Sequence, residues 1–291
     1  MTSDERRLLE EKYAGDASAP GFAHDCERLA TGEPLAYVIG WQPFLGLKIS
    51  LDSHPLIPRP ETEWWAEQLL NTLSGGGDAG SGVSAARSGM VISAPKGSCA
   101  EIREGEGKRV PSLGGMTRLP NPRRRSFLDL CAGSGAIGCA ALKTLPDAEV
   151  FFGEIDPMHE ATIHKNIREN DLDEARSHLF IGDLFEPFPP EMRFDIIAAN
   201  PPYIPEGRIL DPSVADHEPT RALYAGEDGL ALIRRIAEEL PQRLAPGGRA
   251  WIECDEAHAE EARALFTAQG FSASILPDQY SVPRVIVVEW P

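Results

Sequence analysis

The sequence predicts an α/β protein: a doubly wound, seven-stranded, mostly parallel sheet with one antiparallel strand, preceded by a short N-terminal arm of helix and β-hairpin. Three observations predict it. From Ser126 onward, short apolar runs alternate with helical periodicities, the rhythm of a parallel sheet covered on both faces. A small-residue turn, Cys131-Ala132-Gly133-Ser134-Gly135, joins the first apolar run to a helix start. The last two apolar runs are separated only by Pro277–Pro283, too short for a helical crossover, so they pair antiparallel.

The first 30 residues are polar, with some helical character, and too few for an independent core. Gly32–Trp41 leads into Phe44–Leu51, which alternates like a strand, and the two are expected to form a β-hairpin. A helix is expected from Pro60 to Leu73, with Pro60 in its first turn. Its Trp64-Trp65 pair is expected to pack on the domain that follows. Residues 74–126 break the pattern: they hold eleven of the 27 glycines, no Phe, Tyr or Trp, and nine basic against four acidic residues. Such a segment cannot bury enough apolar area to offset its ordering entropy, so residues 74–125 are expected to be a disordered insertion. The run Arg123-Arg124-Arg125 at its end reads as part of a solvated linker rather than a nucleic-acid arm. Strands are then expected at 126–130, 148–155, 178–182, 194–199, 248–254, 271–276 and 284–290, with helices at 136–145, 157–170, 227–245 and 256–269. The third of these helices carries a stripe of Ile233, Ile236, Ala237, Leu240 and Leu244. Three regions follow: an N-terminal segment over 1–73, the insertion over 74–125 and a ligand-binding domain over 126–291.

Bulk properties narrow the function. The chain has 291 residues, is 42% hydrophobic and carries a net charge of -17, which disfavours nonspecific binding to nucleic acid. No stretch approaches the roughly 20 apolar residues of a membrane span. The first seven residues lack the apolar segment of a signal peptide, so a cytoplasmic protein is expected. The five cysteines include no CxxC pair, which indicates neither a disulfide framework nor a zinc site. The seven histidines show no ligand spacing, and no metal is expected.

The glycine turn offers close backbone approach and the free N–H groups of a helix start. Asp156 ends the next strand, 21 residues after Gly135, where a carboxylate can accept both hydroxyls of a ribose. The alternative is that Asp156 only caps the helix that begins at Pro157. Gly133, Gly135 and Gly138 also fit the dinucleotide fingerprint, which keeps an NAD oxidoreductase open. Asp129 argues for S-adenosyl-L-methionine instead. An acid inside the strand end can fix the loop or reach the ligand's charged methionine part, and a pyrophosphate has no use for it. Gly182-Asp183-Leu184-Phe185 ends the third strand, where the Asp183 carboxylate or a backbone N–H is suited to adenine's edge and Leu184 or Phe185 to its face, the alternative being an ordinary turn acid with core aromatics.

Asn200-Pro201-Pro202-Tyr203 follows the buried strand 194–199. Two prolines remove two backbone donors and stiffen the turn. The Asn200 side-chain oxygen and the Pro201 carbonyl are then placed to accept the two hydrogens of an NH2 group and aim its nitrogen at a methyl donor. Tyr203 is expected to pack beside that group and exclude water. Residues 204–225 read as a lid. Glu253 and Asp255 are expected to be solvated acids at the rim.

Taken together, these residues resemble the HemK/PrmC family, methyltransferases that modify the glutamine of the Gly-Gly-Gln loop in peptide chain release factors. The resemblance rests on Gly32–Tyr37, Leu56-Ile57-Pro58-Arg59-Pro60-Glu61-Thr62-Glu63, the Asp129–Gly138 turn, Asn200–Tyr203, Glu218-Pro219, Gly226–Leu230 and Pro246-Gly247-Gly248. It implies a Rossmann-like class I methyltransferase fold, S-adenosyl-L-methionine as cofactor and a class 1 release factor as protein partner; a monomer is expected, and charge and hydropathy predict no direct nucleic-acid or membrane partner. It also implies that Cys131, Ala132, Gly133, Ser134, Gly135, Asp156, Leu184 and Asn200 contact the cofactor, and that Asn200, Pro201, Pro202 and Tyr203 hold the glutamine. The family usually carries glycine where this chain has Cys131, and its N-terminal helical domain is longer than the roughly 30 residues seen here. A nucleic-acid adenine amino-methyltransferase and a cofactor-binding protein without release-factor activity remain as alternative functions.

Overall fold

The computed structural model describes residues 1–75 and 124–291; residues 76–123, most of the expected insertion, lie outside that description. Three short helices open the chain, α1 (Ser3–Tyr13), α2 (Phe22–Ala30) and α3 (Leu35–Ile39). They close around Leu8, Val38 and Ile39, a small cluster of their own. Thr2 and Glu5 form a reciprocal capping box at the start of α1.

The hairpin is shorter than the sequence suggested. Residues 35–39 are helical rather than extended, and Gly40, at φ 95, ends that helix in the left-handed region. Strands β1 (Trp41–Phe44) and β2 (Leu47–Ser50) then pair antiparallel. Leu45 (φ 46) and Gly46 (φ 70) make the turn between them. Two successive left-handed residues give the tight turn whose twist matches that of the strands, so the reversal occurs there and not between Trp41 and Phe44. Helix α4 (Pro60–Ser74) follows, opened by Pro60 at its first turn.

The main sheet comprises β3 (Arg125–Leu130), β4 (Ala148–Glu154), β5 (Ser177–Ile181), β6 (Phe194–Ala199), β7 (Leu244–Glu253), β8 (Ser272–Pro277) and β9 (Pro283–Glu289). Helices α5 (Ala136–Thr144), α6 (Glu160–Glu169), α7 (Pro212–Ala215), α8 (Ala231–Arg243) and α9 (Ala259–Ala268) connect the strands. The spatial order is β5-β4-β3-β6-β7-β9-β8. Strand β9 alone runs antiparallel to its neighbours. Expected helix 227–245 begins later, at Ala231, because Gly226 and Gly229 hold left-handed backbone ahead of it.

Alternate residues of each strand feed two cores, as strand geometry requires. Phe127, Phe152 and Ile196 face α4, α5 and α6, joined there by Phe44 and Ile49 of the hairpin. Leu128, Phe151 and Ile197 face α8 and α9. The chain builds outward from β3 to β5 and then returns to place β6 beside β3, with Leu130 opposite Ala199. Strand order reverses at that point, where an open α/β sheet leaves a crevice beyond its carboxyl ends. The glycine turn and the proline corner both emerge into it.

Candidate active site

Strand β3 enters its turn with Cys131 at φ 60, followed by Gly133 at φ 54 and Gly135 at φ 76. Asp129 lies beneath this turn, fully buried, and its Oδ2 accepts the Gly138 N–H at 2.8 Å. Of the two roles considered for it, fixing the loop is the one the contacts display. Burial pushes its carboxyl well above the usual range, against the Gly138 bond and with help from the nearby Glu154 charge. Its Oδ1 is buried without a partner. Gly138 has a separate steric reason: a Cβ there would stand 2.2 Å from the Phe152 ring.

Glu154, which the sequence did not single out, braces the crevice. Its two oxygens accept the N–H groups of Gly133 at 2.7 Å and Asp156 at 2.8 Å. The only signal for it in the sequence was a second acid two positions before Asp156, after the apolar run Val150–Gly153. Asp156 does cap the turn that opens at Pro157, accepting from Met158 N–H at 2.9 Å through Oδ1. The capping role and a place in the cavity wall are therefore combined in one side chain. The Asp183 carboxylate is held by Arg235 of α8 through bonds of 3.1 and 3.0 Å.

A cavity of about 380 Å³ collects these parts. Its wall contains Cys131, Gly133, Asp156, Asp183, Leu184 and Asn200 of the expected site, together with Pro202. Glu154, His159 and Leu56 complete the side nearest the glycine turn. Pro219, Arg221 and Tyr224 also line it, from the 204–225 segment, which is anchored by an Ile204–Tyr224 bridge. A second cavity of about 50 Å³ is lined by Ala132, Ser134, Pro58 and Thr62, and shares Leu56, Cys131, Gly133 and Asn200 with the first. Asp129, Gly135, Pro201 and Tyr203 line neither cavity.

The corner itself is built from below. Gly229 backs onto it so closely that a Cβ would sit 2.4 Å from the Tyr203 carbonyl. Asn200 Nδ2 donates to Thr62 Oγ1 at 3.1 Å, and Thr62 donates to Glu253 Oε2 at 2.7 Å. Trp65 Nε1 reaches the same oxygen at 2.7 Å, while the Tyr203 hydroxyl donates to Glu253 Oε1 at 3.0 Å. Tyr203 thus turns toward Glu253, and burial followed by that carboxylate's charge pushes its phenol well above the usual range.

Two acids expected to be solvated are buried instead. Glu253 is 1% exposed and Asp255 6% exposed. Helix α4 covers the end of β7, so Glu253 meets three donors where solvent was expected. Burial raises its carboxyl, and the bonds from Trp65, Thr62 and Tyr203 oppose that. Asp255 is bound by Arg208 and accepts the Ala257 N–H, which holds it below the usual range in spite of its burial.

Three polar residues of 57–63, Arg59, Thr62 and Glu63, each tie down a different element. Arg59 pairs with buried Glu218, which also accepts the Ile57 N–H at 3.2 Å. Glu63 accepts the Leu45 N–H at the hairpin tip, at 2.6 Å. Thr62 serves the corner.

The acids in the cavity wall and the apolar Leu184 and Leu232 suit a cationic ligand with an aromatic base. The chain is similar to known proteins over most of its length. The family model for the methyltransferase small domain matches residues 116–217. A release factor glutamine methyltransferase of Geobacter sulfurreducens is 32% identical over 262 residues, spanning 89% of this chain and 74% of that protein. The enzyme of that name in Bordetella pertussis is 31% identical over 282 residues, 91% of this chain and 86% of that protein. A third, from Chlamydia trachomatis, is 29% identical over 258 residues, 88% of this chain and 72% of that protein. With this degree of identity over this much of both partners, the chain belongs to the release factor glutamine methyltransferase family.

Proposed function

We propose that this protein transfers a methyl group from S-adenosyl-L-methionine to the side-chain amide nitrogen of the glutamine in the Gly-Gly-Gln motif of a class 1 peptide chain release factor. One observation carries the reading: Asn200 stands in the wall of the same cavity as Cys131, Gly133, Asp156 and Leu184. The corner suited to gripping an NH2 group and the turn suited to the cofactor thus meet at one site. At about 380 Å³ the larger cavity falls within the usual size of ligand sites. Asp156 would take the ribose, Leu184 and Asp183 the adenine, and the Cys131–Gly135 turn the methionine end. Bound there, the cofactor supplies an electrophilic methyl group on a sulfonium.

The chain's own task is then positioning. An amide nitrogen is a weak nucleophile because its lone pair is delocalised into the carbonyl. Acceptance of its two hydrogens by Asn200 Oδ1 and the Pro201 carbonyl turns the nitrogen toward the methyl group and enriches its electron density. Tyr203, held by Glu253, stiffens the corner from behind. The reading includes a monomer acting in the cytoplasm on a protein rather than directly on nucleic acid. The net charge of -17 supports the last point.

Incubation with labelled S-adenosylmethionine and purified release factors, followed by peptide mapping, tests the proposal. Label is expected on the Gly-Gly-Gln glutamine; label on nucleic acid, or none, would sink it. Asn200→Ala is expected to lower methyl transfer by roughly 10²–10³, the scale for removal of one preorganised polar contact. Cofactor affinity should fall much less.

A further inference from the structure

The Asn200 side chain has two ends of opposite polarity, an oxygen that accepts and an NH2 that donates. The end that faces the cavity decides whether the site grips an amide by its hydrogens or a carboxylate by its oxygens. The contacts behind the corner determine which end that is. Trp65 Nε1 lies 2.7 Å from Glu253 Oε2, and an indole N–H can only donate, so Oε2 is an acceptor. Thr62 Oγ1 lies 2.7 Å from the same oxygen, which commits its single proton. Only lone pairs of Thr62 then remain for Asn200, 3.1 Å away, and the end facing Thr62 must be the NH2. Oδ1 is left to the cavity wall that Asn200 forms. Thr62, Trp65 and Glu253 are 3%, 0% and 1% exposed, so no bulk water competes for these bonds.

We propose that Trp65, Glu253 and Thr62 form a polarity relay that fixes Asn200 with its oxygen toward the substrate and thereby makes the site select a carboxamide over a carboxylate. The inference rests on the glutamine reading above. All three are positioning residues that act through Asn200. The relay requires that Glu253 Oε2 carry no proton, so that it accepts from both Trp65 and Thr62; a net charge on the group is not itself required. In the Glu253→Gln variant the side-chain oxygen stays toward Trp65 and Thr62, and the NH2 turns to the Tyr203 hydroxyl, which accepts it.

The test is binding of a class 1 release factor carrying Gln or Glu at its Gly-Gly-Gln position, measured by calorimetry with S-adenosylhomocysteine present so that no turnover occurs. The wild type is expected to prefer the Gln form. Thr62→Val frees the Asn200 amide to rotate and should cut that preference about tenfold or more, the scale of one well-formed hydrogen bond to a charged or neutral partner. Thr62→Ser should recover most of the loss, and Glu253→Gln should keep the preference for the amide. Affinity for S-adenosylhomocysteine and the melting temperature report whether each variant is folded. Should Thr62→Val melt early, Trp65→Phe with Glu253→Gln gives a second route. Without the indole, the amide introduced by Glu253→Gln can donate to Thr62 and reverse the relay, so the double variant should lose more preference than the two single changes combined. A Thr62→Val enzyme with wild-type preference, or a Glu253→Gln enzyme as indiscriminate as Thr62→Val, overturns the relay. A wild type that binds S-adenosylhomocysteine but neither release factor overturns the glutamine reading, and the relay's role with it.

Discussion

Cys131 holds a left-handed backbone (φ 60) at the first position of the glycine turn. A Cβ in that region costs about 1–2 kcal/mol, which is why glycine is the residue to expect there. The conformation is imposed by its neighbours, since the Ala132 N–H is bound to the Gly153 carbonyl at 3.0 Å and Glu154 holds Gly133. Cys131→Gly is therefore expected to stabilise the protein by about 0.5–1 kcal/mol, the relief of strain less the extra freedom gained by the unfolded chain. Chemical denaturation of the two proteins measures it, and a destabilised variant would show that the thiol's packing outweighs the strain. At this scale the sequence was readable wherever a residue acts through its own backbone or neighbours, as with the glycine turn and the cap at Asp156. It misread Glu253 as a solvated acid, since the three donors that bury it come from positions 62, 65 and 203. A lone acid at a strand end gives no sign of which distant helix will cover it.

Helix α6 shows how an element can finish a sheet edge with side chains. Asn166 accepts the Ser50 N–H at 2.7 Å and donates to the Ser50 carbonyl at 3.2 Å. One turn later, Asn170 accepts the Lys48 N–H and donates to the Lys48 carbonyl, both at 2.9 Å. Two amides at i and i+4 thus pair with alternate residues of β2 in place of another strand. Asn166 also donates to the Ser134 carbonyl at 2.9 Å, which links the hairpin to the glycine turn. Asn166→Ala leaves three buried backbone groups without this partner and is expected to cost about 3 kcal/mol. Native-state hydrogen exchange should show faster exchange at Ser50, and unchanged protection there would remove the proposed bracing. The strands and helices were legible because their periodicity is local. The hairpin start was misplaced because Leu35–Ile39 is apolar enough for either form, and Gly40 settled it as helix.

Across the molecule, the segment before residue 75 is not a separate body. Phe44, Leu47, Ile49 and Trp65 share one core with Phe127, Phe152 and Trp251 of the main sheet. Arg59 and Glu218 clamp it again beside the cavity. Unfolding is therefore expected to be a single transition, with far-UV circular dichroism and tryptophan fluorescence coinciding during denaturation. Two separated transitions would show that the arm docks as an independent unit. The three N-terminal helices are the exception to this shared core, because their own cluster buries only Leu8, Val38 and Ile39 fully.

The sequence by itself determined the alternation of strands and helices, the reversed last strand, the glycine turn and the proline corner, because each is written in residues close together in the chain. Tertiary structure alone decided that the turn and the corner share one cavity, that α4 seals the end of β7, and that Thr62, Trp65 and Glu253 meet behind Asn200. Those contacts join positions 138 and 191 residues apart. Hydrogen-bond direction within such a network depends on the donors and acceptors that the fold brings together, and no local pattern encodes it.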